Sequence, residues 1–181
     1  MNTFISMLRG INVSGQKKIR MVELKDLYES LNLVNVETYV QSGNVVFDTA
    51  EGDASKLAEL IEAQIEKAFG YTVPTFIRDA SDFQRIIEGN PFLKKRDEDP
   101  ARLYVTFLYS APSESKLSNL AIPTGEAAEF SIGDKEAFLF CPNGYGRTKL
   151  SNSFFERNLD VPATTRNWKT VNALHKMASE R

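Results

Sequence analysis

Apolar positions along this chain switch repeatedly between a strand-like and a helical period. Thr3 to Leu8 is a β-prone apolar run, and Met21, Leu24, Leu27, Tyr28 and Leu31 then recur at helical spacing. Val36 to Gln41 and Val45 to Asp48 are short β-rich runs, and the Ser42-Gly43-Asn44 between them predicts a hairpin. Asp53 or Ser55 is placed to cap a helix whose Leu57, Ile61, Ile65 and Ala68 share one face. Gly70 closes that helix, and Val73 to Arg78 returns as a strand.

The second half repeats the order. Leu103 to Tyr109 reads as a strand, and Pro112 stands where a short helix towards Leu120 would begin. Ala127 to Ile132 and Ala137 to Cys141 read as strands joined by Gly133-Asp134-Lys135. Leu150, Phe154 and Leu159 suggest a helix, and Val161 to Thr164 a last short strand. A final helix is expected from Arg166, with Trp168, Val171 and Leu174 on its packed side. The order β-α-β-β-α-β, met twice, predicts an α+β fold. It would consist of two tandem ferredoxin-like (βαββαβ, α/β-plait) units with antiparallel sheets, plus a C-terminal helix. The halves share pattern rather than residue identity. The expected boundaries are 1–80 for the first unit, 81–101 for a helix and linker, and 102–181 for the second unit with the last helix. Phe83, Ile86 and Ile87 give the intervening helix an apolar side, while Lys94 to Pro100 reads as a solvated charge run.

Composition narrows the function. A chain of 181 residues, 42% hydrophobic and 25% charged, has enough apolar material for one large or two small cores. No apolar run approaches the roughly 18–20 residues that span a bilayer, so no membrane partner is expected. The start, Met1 to Asn12, lacks the order of a signal peptide. The single Cys141 excludes an internal disulfide and fits a reducing cytoplasm. With His175 the only histidine, a zinc site of the usual Cys/His kind cannot form within one chain, and no metal or cofactor is expected.

Charge changes the picture further. The net charge of −2 conceals an asymmetry: residues 23–136 carry 21 acids against 11 bases, and the two ends together carry 3 against 11. Met1 to Val22 holds Arg9, Lys17, Lys18 and Arg20 with no acid, and Ala137 to Phe155 holds Arg147 and Lys149 with none. Val161 to Ser179 is a third acid-free stretch. Such asymmetry bears on partners rather than on fold. The segment Pro142 to Lys149 leaves a strand, passes Gly144 and Gly146, and enters a helix. There, free backbone N–H groups favour an anion, Thr148 can cap, and Arg147 and Lys149 add charge. Residues 9–20 are a second strand-to-helix exit, with Gly10 and Gly15 freeing the backbone and Asn12 as a donor. On the expected last helix Arg166, Lys169 and Lys176 share one face, and Asn167 sits near its start, to cap or to contact a ligand.

Four segments also resemble the successive motifs of one family. Leu8 to Val13, Thr38 to Phe47, Gly146 to Leu150 and Thr165 to Thr170 are similar, in order, to those of the bacterial family catalogued as domain of unknown function 1697. The resemblance implies tandem ferredoxin-like domains and no agreed activity. A further likeness, of Leu103 to Leu108 to the first strand motif of an RNA-recognition domain, is opposed by Glu136, which stands where a stacking aromatic is needed.

The leading expectation is a cytoplasmic protein binding a phosphate-bearing ligand, nucleotide or nucleic acid. The contacts would come from Arg9, Asn12, Lys17, Lys18, Gly144, Gly146, Arg147, Thr148, Lys149, Arg166 and Asn167. One alternative is an enzyme acting on a phosphorylated substrate. Its general base would have to come from Glu23, Glu156 or Asp160 at the borders of the basic stretches. The other is a protein-interaction module, as monomer or homodimer, using sheet edges or the basic faces.

Overall fold

In each half the first apolar run becomes an inner strand of a four-stranded antiparallel sheet. The computed structural model describes residues 1–181. The first sheet contains β1 (Asn2–Leu8), β2 (Val34–Tyr39), β3 (Asn44–Thr49) and β4 (Thr75–Asp79), in the order β2-β3-β1-β4. The second contains β5 (Leu103–Leu108), β6 (Glu129–Ile132), β7 (Glu136–Phe140) and β8 (Ala163–Asn167), in the order β6-β7-β5-β8. The helices are α1 (Met21–Ser30), α2 (Ala54–Phe69), α3 (Ala80–Gly89), α4 (Pro91–Lys94), α5 (Glu114–Ser118), α6 (Asn152–Leu159) and α7 (Trp168–Ser179). The architecture is thus mixed α+β, with two four-stranded antiparallel sheets and a C-terminal helix. Two compact units divide it: Met1–Arg85 with Ala173–Arg181, and Ile86–Asn172.

The alternation of each strand decides what packs. In the first unit Phe4, Leu8, Val45 and Phe47 meet Leu24, Leu27 and Tyr28 of α1 and Leu57, Ile61 and Ile65 of α2. The Tyr28 ring stands edge-on to Phe47 at 5.5 Å, and its hydroxyl bonds Ser6 Oγ at 2.7 Å, so the one polar atom of this buried ring is satisfied. Asp53 caps α2, accepting from the N–H groups of Ser55 and Lys56, and Gly70 ends it at φ +76°. In the second unit Leu108, Ala137, Leu139 and Ala163 pack with Leu150, Phe154, Phe155 and Leu159. The opposite sheet faces are covered as well: Ile5, Met7 and Val46, and likewise Leu103, Val105 and Phe107, are fully buried. Each fully buried aliphatic or aromatic side chain contributes roughly 1.5–3 kcal/mol.

Three features differ from the sequence reading. The last strand runs on to Asn167 because Val105 and Tyr104 supply pairing partners for Arg166 and Asn167. The final helix therefore begins at Trp168, and Arg166 is a strand residue. The charge run is also not simply solvated. The Arg96 fork bonds both carboxylate oxygens of Glu129 at 2.8 and 2.9 Å and Glu98 at 2.9 Å, and its guanidinium lies over the Phe92 and Phe140 rings. The hydrogen bond from Arg96 holds the Glu129 carboxyl below the usual range. Lastly, the end of the last helix belongs with the first unit, where Arg181 bonds the Asn35 carbonyl at 2.6 Å and pairs with Glu37 at 2.7 Å and Asp48 at 3.6 Å.

Candidate anion-binding loops

The exit from β1 is held in an unusual backbone shape. Gly10, Asn12, Ser14, Gly15 and Lys17 all have φ between +46° and +73°, a region that only glycine and, less readily, asparagine enter without support. Asn12 supplies much of that support. Its Nδ2 donates to the carbonyls of Ile19 at 2.9 Å and Gln41 at 2.8 Å, and its Oδ1 accepts from the Ile19 N–H at 2.9 Å. Both amide hydrogens and the carbonyl oxygen are therefore engaged within the fold. Ser14 and Gly15 form the centre of a tight turn closed by Gln16 N–H to Val13 O at 2.9 Å; positive φ at both is the signature of a type I′ hairpin.

The β2–β3 turn locks onto this loop. The Gly43 carbonyl accepts from Leu8 N–H at 2.9 Å. A Cβ at Gly43, whose φ is +79°, would stand 2.8 Å from both Leu8 Cβ and Ile11 Cδ1. Asn44 is fully buried and donates to the Tyr39 carbonyl and Ser42 Oγ. Among the loop cations, Lys18 is exposed, Lys17 Nζ donates to the Thr72 carbonyl at 2.7 Å, and Arg20 pairs with Glu23 at 2.9 Å. Arg9 is half-buried at the strand end, with its N–H on the Pro74 carbonyl.

The exit from β7 is built differently. Gly144, at φ +85°, turns the chain into a single 3₁₀ turn over Tyr145–Arg147. The α-helix starts later: Ser151 caps it, accepting from Phe154 N–H, so Thr148 is not its cap. Thr148 Oγ1 instead accepts from Leu150 N–H at 3.0 Å. The N–H of Lys149 is already taken by an anion from the same unit. Glu126 Oε2 accepts it at 2.7 Å, while Oε1 accepts from Ala128 N–H at 2.9 Å. These two N–H bonds, with the Thr148 hydroxyl adding to the same effect, hold the Glu126 carboxyl below the usual range despite some desolvation. Lys149 Nζ reaches the Thr124 carbonyl at 3.3 Å. Gly146 and Arg147 are exposed, and nothing lies within 4 Å of where a Gly146 Cβ would be.

The remaining candidates lie beside the second sheet. Arg166 is buried on β8, its Nη1 donating to Thr164 Oγ1 at 2.7 Å and to the Thr165 carbonyl at 3.0 Å. Burial pushes its guanidinium down to about 10, with Tyr145 acting in the opposite direction, so it stays charged at neutral pH. Asn167 caps α7 through Oδ1, which accepts from Thr170 N–H at 2.8 Å. Lys169 is exposed, and His175 Nε2 meets Ser179 Oγ at 3.1 Å. Burial raises the Cys141 thiol to about 11, which leaves it protonated and a poor nucleophile at neutral pH. Every β5 residue but the half-buried Tyr104, whose ring lies against Tyr145, is buried, so its strand motif offers no open platform for bases.

The two loops hold different topological places, each within its own sheet. One follows the first strand of its sheet, the other the third, and first and third strands run antiparallel. The loops therefore leave opposite ends of their respective sheets. A residue missed by the sequence reading is Arg78. It pairs across the sheet with Ile5 as Arg166 does with Val105, is equally buried, and donates to the carbonyl preceding it, Ile77, at 2.9 Å. The endings Arg78-Asp79 and Arg166-Asn167 of the two last strands were the available signal. No group of three or more His, Cys, Asp or Glu side chains is placed to hold a metal ion, and no helix is long and apolar enough to cross a membrane.

A family model described as Protein of unknown function (DUF1697) matches residues 1–138. The chain belongs to this family. The matched stretch includes the Asn12 loop, the Gly43 turn and Glu126, and ends before Gly144. Among solved structures, the conserved bacterial protein SP0830 from Streptococcus pneumoniae is similar in fold. Its TM-score is 0.72 at 24% identity, with 98% of each chain covered. No curated protein matches the chain.

Proposed function

We propose that this DUF1697 member binds phosphate-bearing ligands, nucleotides or nucleic acid, through the cations that each basic loop carries by itself. The observation carrying this reading is how charge is left over. Arg20, Lys25, Arg85, Arg96, Lys176 and Arg181 each pair with a carboxylate. Within the loops Lys18 and Arg147 are exposed without such a partner, as is Lys169 on α7; Lys17 Nζ goes to a backbone carbonyl, which leaves its charge in place, whereas the charge of Lys149 is partly offset by Glu126. Uncompensated cations on a loop attract phosphate, with an affinity that falls steeply as salt rises. Asn12, by its internal bonds, serves the shape of the first loop rather than direct contact, and Arg166 is engaged within its own sheet.

The same reading takes each sheet as a ferredoxin-like unit. The strand order, 2-3-1-4 within each half with a helix after the first and third strands, supports it. The free, buried Cys141 supports a reducing, cytoplasmic setting. The test is fluorescence anisotropy of a labelled single-stranded oligonucleotide and of a nucleotide panel across a salt series. Arg147→Ala with Lys149→Ala should weaken binding and reduce the salt slope by about 1.4 for single strands. Absence of binding at low ionic strength, or an unchanged slope in the double variant, would overturn the proposal.

A further inference from the structure

We infer that Glu126 is a built-in competitor for the anion seat of the loop 142–150, and that a phosphate group enters by displacing its carboxylate. This rests on the phosphate reading above and adds the regulation of that same site.

The geometry has a seat, an occupant and a way out. The seat is the Lys149 N–H, with the Thr148 hydroxyl beside it and the exposed Arg147 two residues upstream. The occupant arrives from 23 residues away in sequence, so its presence is not a local accident of the loop. A tight turn presents it: Glu126 N–H bonds the Pro123 carbonyl at 3.1 Å, and Gly125 takes φ +79°. That combination is a type II turn, which needs glycine at its third position. Neither element of the turn uses the Glu126 side chain. Of its two oxygens, Oε1 bonds Ala128 N–H within the same segment, and Oε2 crosses to the Lys149 N–H of the loop. A rotation of the side chain can therefore vacate the seat while the turn keeps its backbone bond.

Charge sets which ligand can drive the exchange. A ligand carboxylate offers the seat what Glu126 already gives it, at higher entropic cost. A phosphate brings more negative charge and a third oxygen, enough to occupy the Lys149 N–H and also engage the unpaired Arg147 fork. The retained Glu126 carboxylate would repel it, so the two cannot share the seat. The loop is thereby selective for phosphate over carboxylate, and its affinity is set low by the competitor.

The experiment is a titration of the ¹⁵N-labelled full chain with inorganic pyrophosphate and, separately, acetate, followed by amide NMR at low ionic strength. Wild type, Glu126→Gln and Glu126→Ala are compared. Pyrophosphate should bind about tenfold tighter to Glu126→Ala than to wild type, with Glu126→Gln between them. The Lys149 amide should shift in all three, and acetate should not compete. Unchanged or weaker pyrophosphate binding in both variants, with a folded spectrum, overturns the inference. Should Glu126→Ala perturb the loop, the near-isosteric Glu126→Gln decides alone. If the oligonucleotide binds through Arg147 and Lys149 while both Glu126 variants behave as wild type, the phosphate reading stands and the competitor falls. If wild type and variants alike bind no phosphate, both fall.

Discussion

The two basic loops solve the same problem with opposite chemistry. Each must hold irregular backbone at a strand exit, and each is pinned by one polar side chain. In the first loop the pin is a neutral amide, Asn12, reaching forward to Ile19 and across to Gln41. In the second it is a carboxylate, Glu126, reaching forward to Lys149 from a separate turn. A neutral pin leaves the local charge untouched; an acidic one offsets part of it and occupies a donor. The difference teaches that counting acids along a segment does not give the charge it presents, because the acid that matters can come from elsewhere in the chain.

The sharpest break in the comparison lies at Gly43. Gly43→Ala forces a side chain into left-handed backbone and into Leu8 and Ile11, and should cost about 3 kcal/mol in urea unfolding. The next largest effect is expected of Asn12→Ala. It strands the Ile19 N–H and two carbonyls, for a loss of about 2 kcal/mol and faster amide exchange across residues 10–19. Glu126→Gln in the other loop should cost less, about 1 kcal/mol at neutral pH.

Acid titration separates the two pins by their charge. The folded Glu126 carboxyl sits below its ordinary 4.5, so its contribution is present above that value and is lost as pH falls through the lower, folded one. Urea midpoints of wild type and Glu126→Gln should therefore converge in acid, whereas the gap between wild type and Asn12→Ala should persist. A Glu126→Gln gap that stays constant as the pH falls well below the ordinary carboxylate range would deny the carboxylate its assigned part. The smallest effect is expected of Arg147→Ala, within about 0.5 kcal/mol of wild type in stability, because the side chain is exposed and has no internal partner.

Much of the architecture was legible because it is written locally. The alternation of Thr3 to Leu8 and the helical recurrence of Leu57, Ile61 and Ile65 place elements within a few residues of where they form. The cap at Asp53 and the closing Gly70 were equally readable, since capping depends on neighbours three or four residues away. The candidate site was less legible. Arg166 resembles a helix-face cation until β5 claims it as a pairing partner, which turns an exposed charge into a buried one. Thr148 stands where a cap belongs, yet the 3₁₀ turn delays the helix to Ser151.

What the sequence determined by itself is the succession of strands and helices, the acid-poor segments and the motifs of the DUF1697 family. These depend on side-chain periodicity and on neighbours close along the chain. Only the tertiary structure decided which polar groups are already engaged: Asn12 with Gln41, Arg96 with Glu129, Lys149 with Glu126. Those partners lie 23 to 33 residues apart, and the bond between them exists only once the sheets have set the register that brings them together.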